Sequence, residues 1–244
     1  MSTIIALQNV SFVAEKQEIV KNISCNFEEG KATALVGPSG GGKSTVLKLA
    51  AGLLLPASGV VYFRDEDISL MRRESTLNFR HQAAMVFQDS ALWSNQNLYQ
   101  NMELPLRIHF PQMSKPDRDQ RINEVLAEAG YRKDLMFRPA KLSMGEQKLI
   151  AFARAMLCRP VLLFLDEWTE SLDETAAQRL IGIVQQHKNE GHTVIFVSHD
   201  LGIVRGLADN IFMIAGGKLA EQLTSEELAT DSSLAQHLER GINA

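Results

Sequence analysis

The spacing of apolar residues changes several times along this chain, and each change marks an element. Ile4–Val13 and Ile19–Phe27 alternate as strands do, and a turn over Glu28–Lys31 follows them. Ala32–Val36 is apolar but for Thr33, the pattern of a buried strand. A glycine-rich turn separates it from a helix predicted from Ser44 to about Ala51. From Ser94 onward strand patterns vanish, and polar helical stretches are punctuated by Pro105, Pro111, Pro116 and Pro139. Ile122, Val125, Leu126 and Ala129 share one helical face that Gly130 ends. Ser143 then opens a helix as its N-cap. Glu146 completes a capping box, and Leu149, Ala153 and Met156 follow at helical spacing.

Strand and helix alternate again after that. Val161–Leu165 is a second buried strand and Thr193–Val197 a third. Between them Glu174–Glu190 reads as a helix stopped by Gly191, with Leu180, Ile181, Val184 and His187 on one side. Such strand–helix–strand units predict right-handed crossovers and a largely parallel sheet. The segment from Gly216 reads as polar and helical, lying on the surface. The organisation expected is one α/β core, residues 1–90 and 159–215, with a helical lobe at 91–158 and a tail at 216–244.

Composition narrows the class. Of 244 residues 45% are apolar and 22% charged, enough for a substantial core. A net charge of −4 gives non-specific nucleic-acid binding no electrostatic support, so no nucleic-acid partner is expected. Basic residues between Arg64 and His81 are interleaved with acids and read as a solvated face. Cys25 and Cys158 are too isolated for a disulfide framework and suit a reducing cytoplasm. The six histidines show no zinc-site spacing, so no structural metal is expected. The first sixteen residues lack the pattern of a signal peptide, and the longest apolar run, from Val161, is far too short to cross a bilayer. A chain soluble by itself is expected.

The turn after Ala32–Val36 carries the first chemistry. Gly37–Thr45, GPSGGGKST, matches G-x-x-x-x-G-K-[ST] between a strand and a helix, the context that motif requires. Backbone N–H groups of such a loop wrap phosphates. Gly37, Pro38, Ser39, Gly40, Gly41, Gly42, Lys43, Ser44 and Thr45 are therefore predicted to bind a nucleoside triphosphate. Lys43 is suited to reach the β- and γ-phosphates and Ser44 to ligate Mg²⁺. Leu162–Glu167 ends a buried strand in two carboxylates, at the edge where parallel sheets bind ligands. Asp166 suits the Mg²⁺ shell through water, and Glu167 suits the general base that takes the proton of an attacking water. His199, in Ser198–Asp200, follows the next strand. Alone it reads as a surface histidine; beside a phosphate loop it reads as a γ-phosphate donor. Gln88 reads as a Mg²⁺ or water ligand from the same edge. The helix opened by Ser143, with Gly145 beside it, is both capped and a natural anion site.

Taken in order, these motifs resemble the ATP-binding subunit of an ABC transporter across nearly the whole chain. The resemblance implies a P-loop NTPase core with a mostly parallel sheet, an antiparallel N-terminal β subdomain and an inserted helical lobe. Lys43 falls at the phosphate-loop lysine, Gln88 at the Q-loop glutamine and Asp166–Glu167 at the Walker B pair. Ser171–Asp173 falls at the D-loop and His199 at the switch histidine. Leu142–Glu146, LSMGE, falls at the LSGGQ signature. Two copies would then meet head to tail, with Ser143, Gly145 and Glu146 facing ATP held by the other copy and Asp173 joining the nucleotide contacts. Asp173 also reads locally as the N-cap of its helix. The chain departs from the pattern at Met144 for glycine, Glu146 for glutamine, Trp168 for proline and Glu170 for serine. Ala14 stands where an adenine-stacking aromatic belongs, with Phe12 two residues away on the same strand face.

The resemblance implies an ATPase using ATP and Mg²⁺ to drive separate permease subunits, held through them at the cytoplasmic face of the inner membrane. Its departures imply slow hydrolysis, or hydrolysis that depends on a tight partner complex. Leu92, Trp93 and Tyr99 are either anchors for a permease helix or packing inside the lobe. Their segment, Phe87–His109, and the closing Leu234–Ala244 are similar to ATPases of Mla-type and other mammalian-cell-entry-associated lipid transport systems. That similarity implies a phospholipid or other hydrophobic cargo and a lipid-binding partner. The competing reading is a membrane-bound ABC-type mechanical switch that regulates a partner and transports nothing.

Overall fold

The computed structural model describes residues 2–230. The two alternating segments form β1 (Thr3–Ala14) and β2 (Gln17–Glu28), an antiparallel pair. β4 (Ser58–Phe63) and the short β5 (Glu66–Asp67) complete a four-stranded sheet in the order β2-β1-β4-β5. The mostly apolar runs form β3 (Ala32–Val36), β7 (Leu162–Asp166) and β8 (Thr193–Val197), each buried at all five positions. They lie in a second sheet ordered β10-β9-β3-β8-β7-β6. It also holds β6 (Ala83–Val86), β9 (Asn210–Ala215) and β10 (Lys218–Thr224). Every pairing in that sheet is parallel except the β9–β10 hairpin at its edge.

Because side chains alternate across a strand, the six-stranded sheet divides the apolar residues between two cores. Leu162, Phe164, Ile195 and Val197 point into one. There they meet Ile5, Leu7 and Phe27 of the antiparallel sheet, and Val46, Leu47 and Leu49 of α1 (Lys43–Ala50). Leu163, Leu165, Val194 and Phe196 point into the other. That core is filled by α3 (Leu98–His109), α4 (Lys115–Ala129), α5 (Met144–Met156), α6 (Glu174–Asn189) and α7 (Leu201–Leu207). The fold is thus α/β, three layers thick, with its central sheet covered on both faces.

Several elements depart from the sequence reading. The segment after Gly216 begins as a strand, β10, and only then forms the short α8 (Ser225–Thr230). Its exposed residues alternate with half-buried ones, and Gly216 and Gly217, at φ 56° and 81°, supply the tight turn that pairs it with β9. Leu234–Ala244 lies outside the described residues. In α5 the deepest positions are Ile150, Ala151, Phe152 and the expected Ala153, while Leu149 and Met156 are half-buried. The helix is enclosed on most sides, which a single apolar stripe does not capture. The basic stretch is not uniformly solvated either. In α2 (Arg73–Gln82), Phe79 is buried, and Arg80 donates to the carbonyls of Ala51 and Gly52 at 2.6 Å each, satisfying the end of α1.

The β9–β10 turn sits against the N-terminal hairpin: a Cβ on Gly217 would lie 2.5 Å from the Ile19 carbonyl oxygen. Gly217→Val should therefore destabilise the fold by roughly 2 kcal/mol or more, combining that clash with a positive φ. A urea midpoint unchanged from wild type would show that the turn relaxes freely.

Candidate functional site

β3, β7 and β8 are neighbours and run parallel, so the loops leaving their C-terminal ends open at one edge. Gly37–Gly42 leaves β3, Glu167 follows β7, and Ser198–Asp200 follows β8. A Cβ on Gly41 would lie 2.8 Å from the Ile214 carbonyl oxygen, so the loop is packed too tightly against β9 for any larger residue there. Lys43 Nζ donates to the Gly37 and Pro38 carbonyls at 2.8 Å each, curling its side chain back over the loop. Ser44 Oγ donates to Asp166 Oδ1 at 2.8 Å.

Glu167 lies at φ 45°, and its N–H donates to the Val197 carbonyl at 3.2 Å. This conformation turns its side chain to His199, whose Nδ1 donates to Glu167 Oε2 at 3.0 Å. Burial pushes both carboxylates above their usual range. At Asp166 the Ser44 hydroxyl is the chief opposing influence, and at Glu167 it is the His199 hydrogen bond. Burial also lowers the Lys43 ammonium, against the pull of Glu167 and Asp166. Lys43, Ser44, Asp166, Glu167 and His199 are therefore brought together.

The other predicted residues form a second group. Gln88 Nε2 donates to Glu170 Oε2 at 3.0 Å. Ser143 Oγ accepts the Glu146 N–H at 3.2 Å, and the Glu146 carboxylate accepts the Ser143 N–H at 2.9 Å, completing the capping box. Glu146 also pairs with Lys133. Ser143 and Glu146 make these bonds rather than any to the Gly37–Thr45 loop of their own chain. Met144 is 71% exposed, and the Ser171 carbonyl packs against Gly145. Asp173 caps α6, accepting the Ala176 N–H at 2.8 Å. Phe12 packs on the antiparallel-sheet core, and Val13 beside it is exposed because register shifts interrupt the alternation there. Of the three candidate anchors, Leu92 and Tyr99 pack on the helical core and Tyr99 donates its hydroxyl to Asp119, whereas Trp93 stands half exposed.

Sequence reasoning missed two cations that hold this group in place. Lys148, buried in α5, donates to the carbonyls of Phe87 and Gln88. Arg154 donates to those of Ala91 at 2.9 Å and Ser90 at 3.2 Å. Their signal was a charge inside an otherwise apolar helix.

A family model described as ABC transporter matches residues 20–170. The chain belongs to the ABC transporter family. It is 35% identical over 214 residues to the ABC transporter ATP-binding protein YejF of Escherichia coli (strain K12), covering 86% of this chain and 40% of YejF. It is 32% identical over 198 residues to the methionine import ATP-binding protein MetN 2 of Pseudomonas aeruginosa (strain UCBPP-PA14), covering 81% of this chain and 59% of MetN 2. The chain thus spans about half the length of these relatives. Among solved structures, the dimeric post-hydrolysis state of the ATP-binding cassette MJ0796 bound to ADP and Pi is similar with a TM-score of 0.83. The two are 28% identical, over 91% of this chain and 98% of that one. The fold is that of an ABC cassette.

Two observations fit ATP and Mg²⁺ to this cassette. A Cβ on Gly40 would meet nothing within 4 Å, so the loop backbone is uncovered there for phosphate, and Ser44 with Asp166 supplies the hard oxygen donors that Mg²⁺ prefers. His199 holds the Glu167 pKa down, so His199→Ala should displace the acid limb of the ATP-turnover profile to higher pH. A pH–rate series tests this, and a limb that stays put or moves down would refute the coupling.

Proposed function

We propose that this chain is the ATP-hydrolysing subunit of a membrane transporter and works as a head-to-tail pair. The observation that carries the catalytic part is the convergence of Lys43, Ser44, Asp166, Glu167 and His199 at the ends of three adjacent parallel strands. In this reading Lys43 exchanges its two loop carbonyls for the β- and γ-phosphates. The rest of the Gly37–Thr45 loop offers its N–H groups to the same phosphates. Ser44 and Asp166, with Gln88, hold Mg²⁺, which neutralises phosphate charge when bound. Glu167, whose proton affinity burial has raised, takes the proton of the attacking water, and His199 orients it.

The signature supports the pairing. Ser143 and Met144 are exposed at the N-terminus of α5, where the helix dipole favours a phosphate brought by another copy. Asp173 and Gly145 belong to the same face in this reading, since the Ser171 carbonyl touches Gly145. MJ0796 is a dimeric cassette, which agrees with it. Among the described residues no helix is long and apolar enough to cross a membrane, so the reading assigns that task to permease subunits. The exposed Trp93 suits an anchor for them.

The phospholipid cargo implied by the Phe87–His109 similarity finds no support among the relatives; MetN 2 is named for methionine import. We therefore favour import of a small solute, at the cytoplasmic face of the membrane. Affinity purification of the chain from detergent-solubilised native membranes should recover a multi-span permease. Co-purified phospholipid in stoichiometric amount would restore the lipid reading, and a cell-wall regulator in place of a permease would make the chain a mechanical switch. Within the recovered complex, Glu167→Gln should lower ATP turnover by roughly 10² or more while ATP still binds. Turnover at the wild-type rate would remove Glu167 from its role.

A further inference from the structure

The far end of α6 gathers a group of side chains with no part in the nucleotide site. His187 lies in the last turn of α6, Glu190 is its C-cap, and Gly191 at φ 87° reverses the chain so that His192 returns beside His187. The two imidazole rings stand 4.4 Å apart, inclined by 34°, and the His192 N–H donates to the His187 carbonyl at 3.3 Å. Glu190 Oε2 lies 3.8 Å from His192 Nδ1, while its Oε1 accepts from Gln186 Nε2 at 3.0 Å. One ligand atom from each of the three residues falls within 4.8 Å of the other two.

What sets this group apart is what its nitrogens lack. His187 Nε2 and His192 Nδ1 are both buried and neither has a hydrogen-bond partner. A buried polar nitrogen left unpaired is costly, and here there are two, on adjacent rings beside one carboxylate. We propose that His187, Glu190 and His192 form a binding site for one divalent transition-metal ion of the zinc class.

Two imidazole nitrogens and one carboxylate oxygen are a donor set that suits such ions and not the oxygen-seeking Mg²⁺ of the nucleotide site. Tetrahedral ligands at zinc bond lengths stand about 3.4 Å apart. With the ligand atoms within 4.8 Å of one another, closing to that spacing falls to the exposed Glu190 and the half-buried His192. Gln186 supplies the outer bond that orients the carboxylate. The group opens on a cleft of about 410 Å³, which leaves room for water as the fourth ligand. Of the cations lining that cleft, Arg121 is engaged by the Met156 and Leu157 carbonyls, and Arg159 is a competing charge. The ion joins the end of α6 to the start of β8, the strand from whose other end His199 projects. Sequence reading passed over it because its third ligand sits between the two histidines in a His-x₄-His stretch.

Cobalt is the probe of choice, since Co²⁺ bound by nitrogen and oxygen absorbs in the visible and Zn²⁺ displaces it. Titrating the nucleotide-free full chain with Co²⁺ should give one saturable absorbing site per chain, bleached by Zn²⁺. Zn²⁺ should also raise the thermal midpoint. Glu190→Gln and His192→Asn, at positions not fully buried, should each weaken Co²⁺ affinity at least about tenfold, with circular dichroism showing that both variants remain folded. His199→Ala should leave the absorption intact. No saturable site, or one unaffected by Glu190→Gln and His192→Asn, overturns the proposal. Loss of the signal in His199→Ala alone would place the ion at the nucleotide site and overturn it equally.

Discussion

The in-register ends of β3, β7 and β8 are the constraint on which the site rests. Leu35 of β3 and Asp166 of β7 both lie opposite Val197 of β8, so the three strands stop within a residue of one another. Each then releases a loop at the same height: phosphate loop, paired carboxylates, histidine. Slipping one strand by a single residue would move its loop by about 3.3 Å and turn its side chains to the opposite face. The Ser44–Asp166 contact at 2.8 Å and the Glu167–His199 contact at 3.0 Å would not survive such a slip. The two cores that cover the sheet hold the register, because each face of every central strand is committed to different neighbours.

Around that edge, irregular loops take up conformations that helices and strands do not. Glu167, Ser171, Ser90 and Ala91 all have positive φ. Cations answer carbonyls of these loops: buried Lys148 those of Phe87 and Gln88, half-buried Arg154 those of Ser90 and Ala91. Both cations belong to α5, whose N-terminus presents Met144 to solvent. The Gln88 loop and the signature are consequently parts of one packed body. Glu170 closes the group by accepting from Gln88, a bond that the serine expected at this position in the family pattern would be too short to make in the same way.

Much of this was legible from the residues. Runs that are apolar but for Thr33, Asp166 and Thr193 marked β3, β7 and β8, because a strand buried on both faces has little use for polar side chains. GPSGGGKST and LLFLDE announced their chemistry because each needs its residue types at fixed spacing, whatever the surroundings. The caps at Ser143 and Asp173 are local contacts within four residues, and sequence is sufficient for those. The strand character of Lys218–Thr224 was hidden because its polar residues form a strand only once β9 is present to pair with it and the Gly216–Gly217 turn delivers it there.

Contacts between segments distant along the chain were settled by the tertiary structure alone. Lys148 meets a loop 60 residues earlier and Glu170 accepts from Gln88 across 82, and no local pattern encodes either. Arg80 looked like part of a solvated face until the end of α1 came within reach of its guanidinium. The sequence by itself thus determined which residues carry phosphate chemistry and which strands lie in the centre, because those follow from composition and short-range spacing. The tertiary structure decided which carboxylate faces which histidine, which cations hold the loops and where two unpartnered imidazoles meet, because each depends on register and packing between elements that only folding brings together.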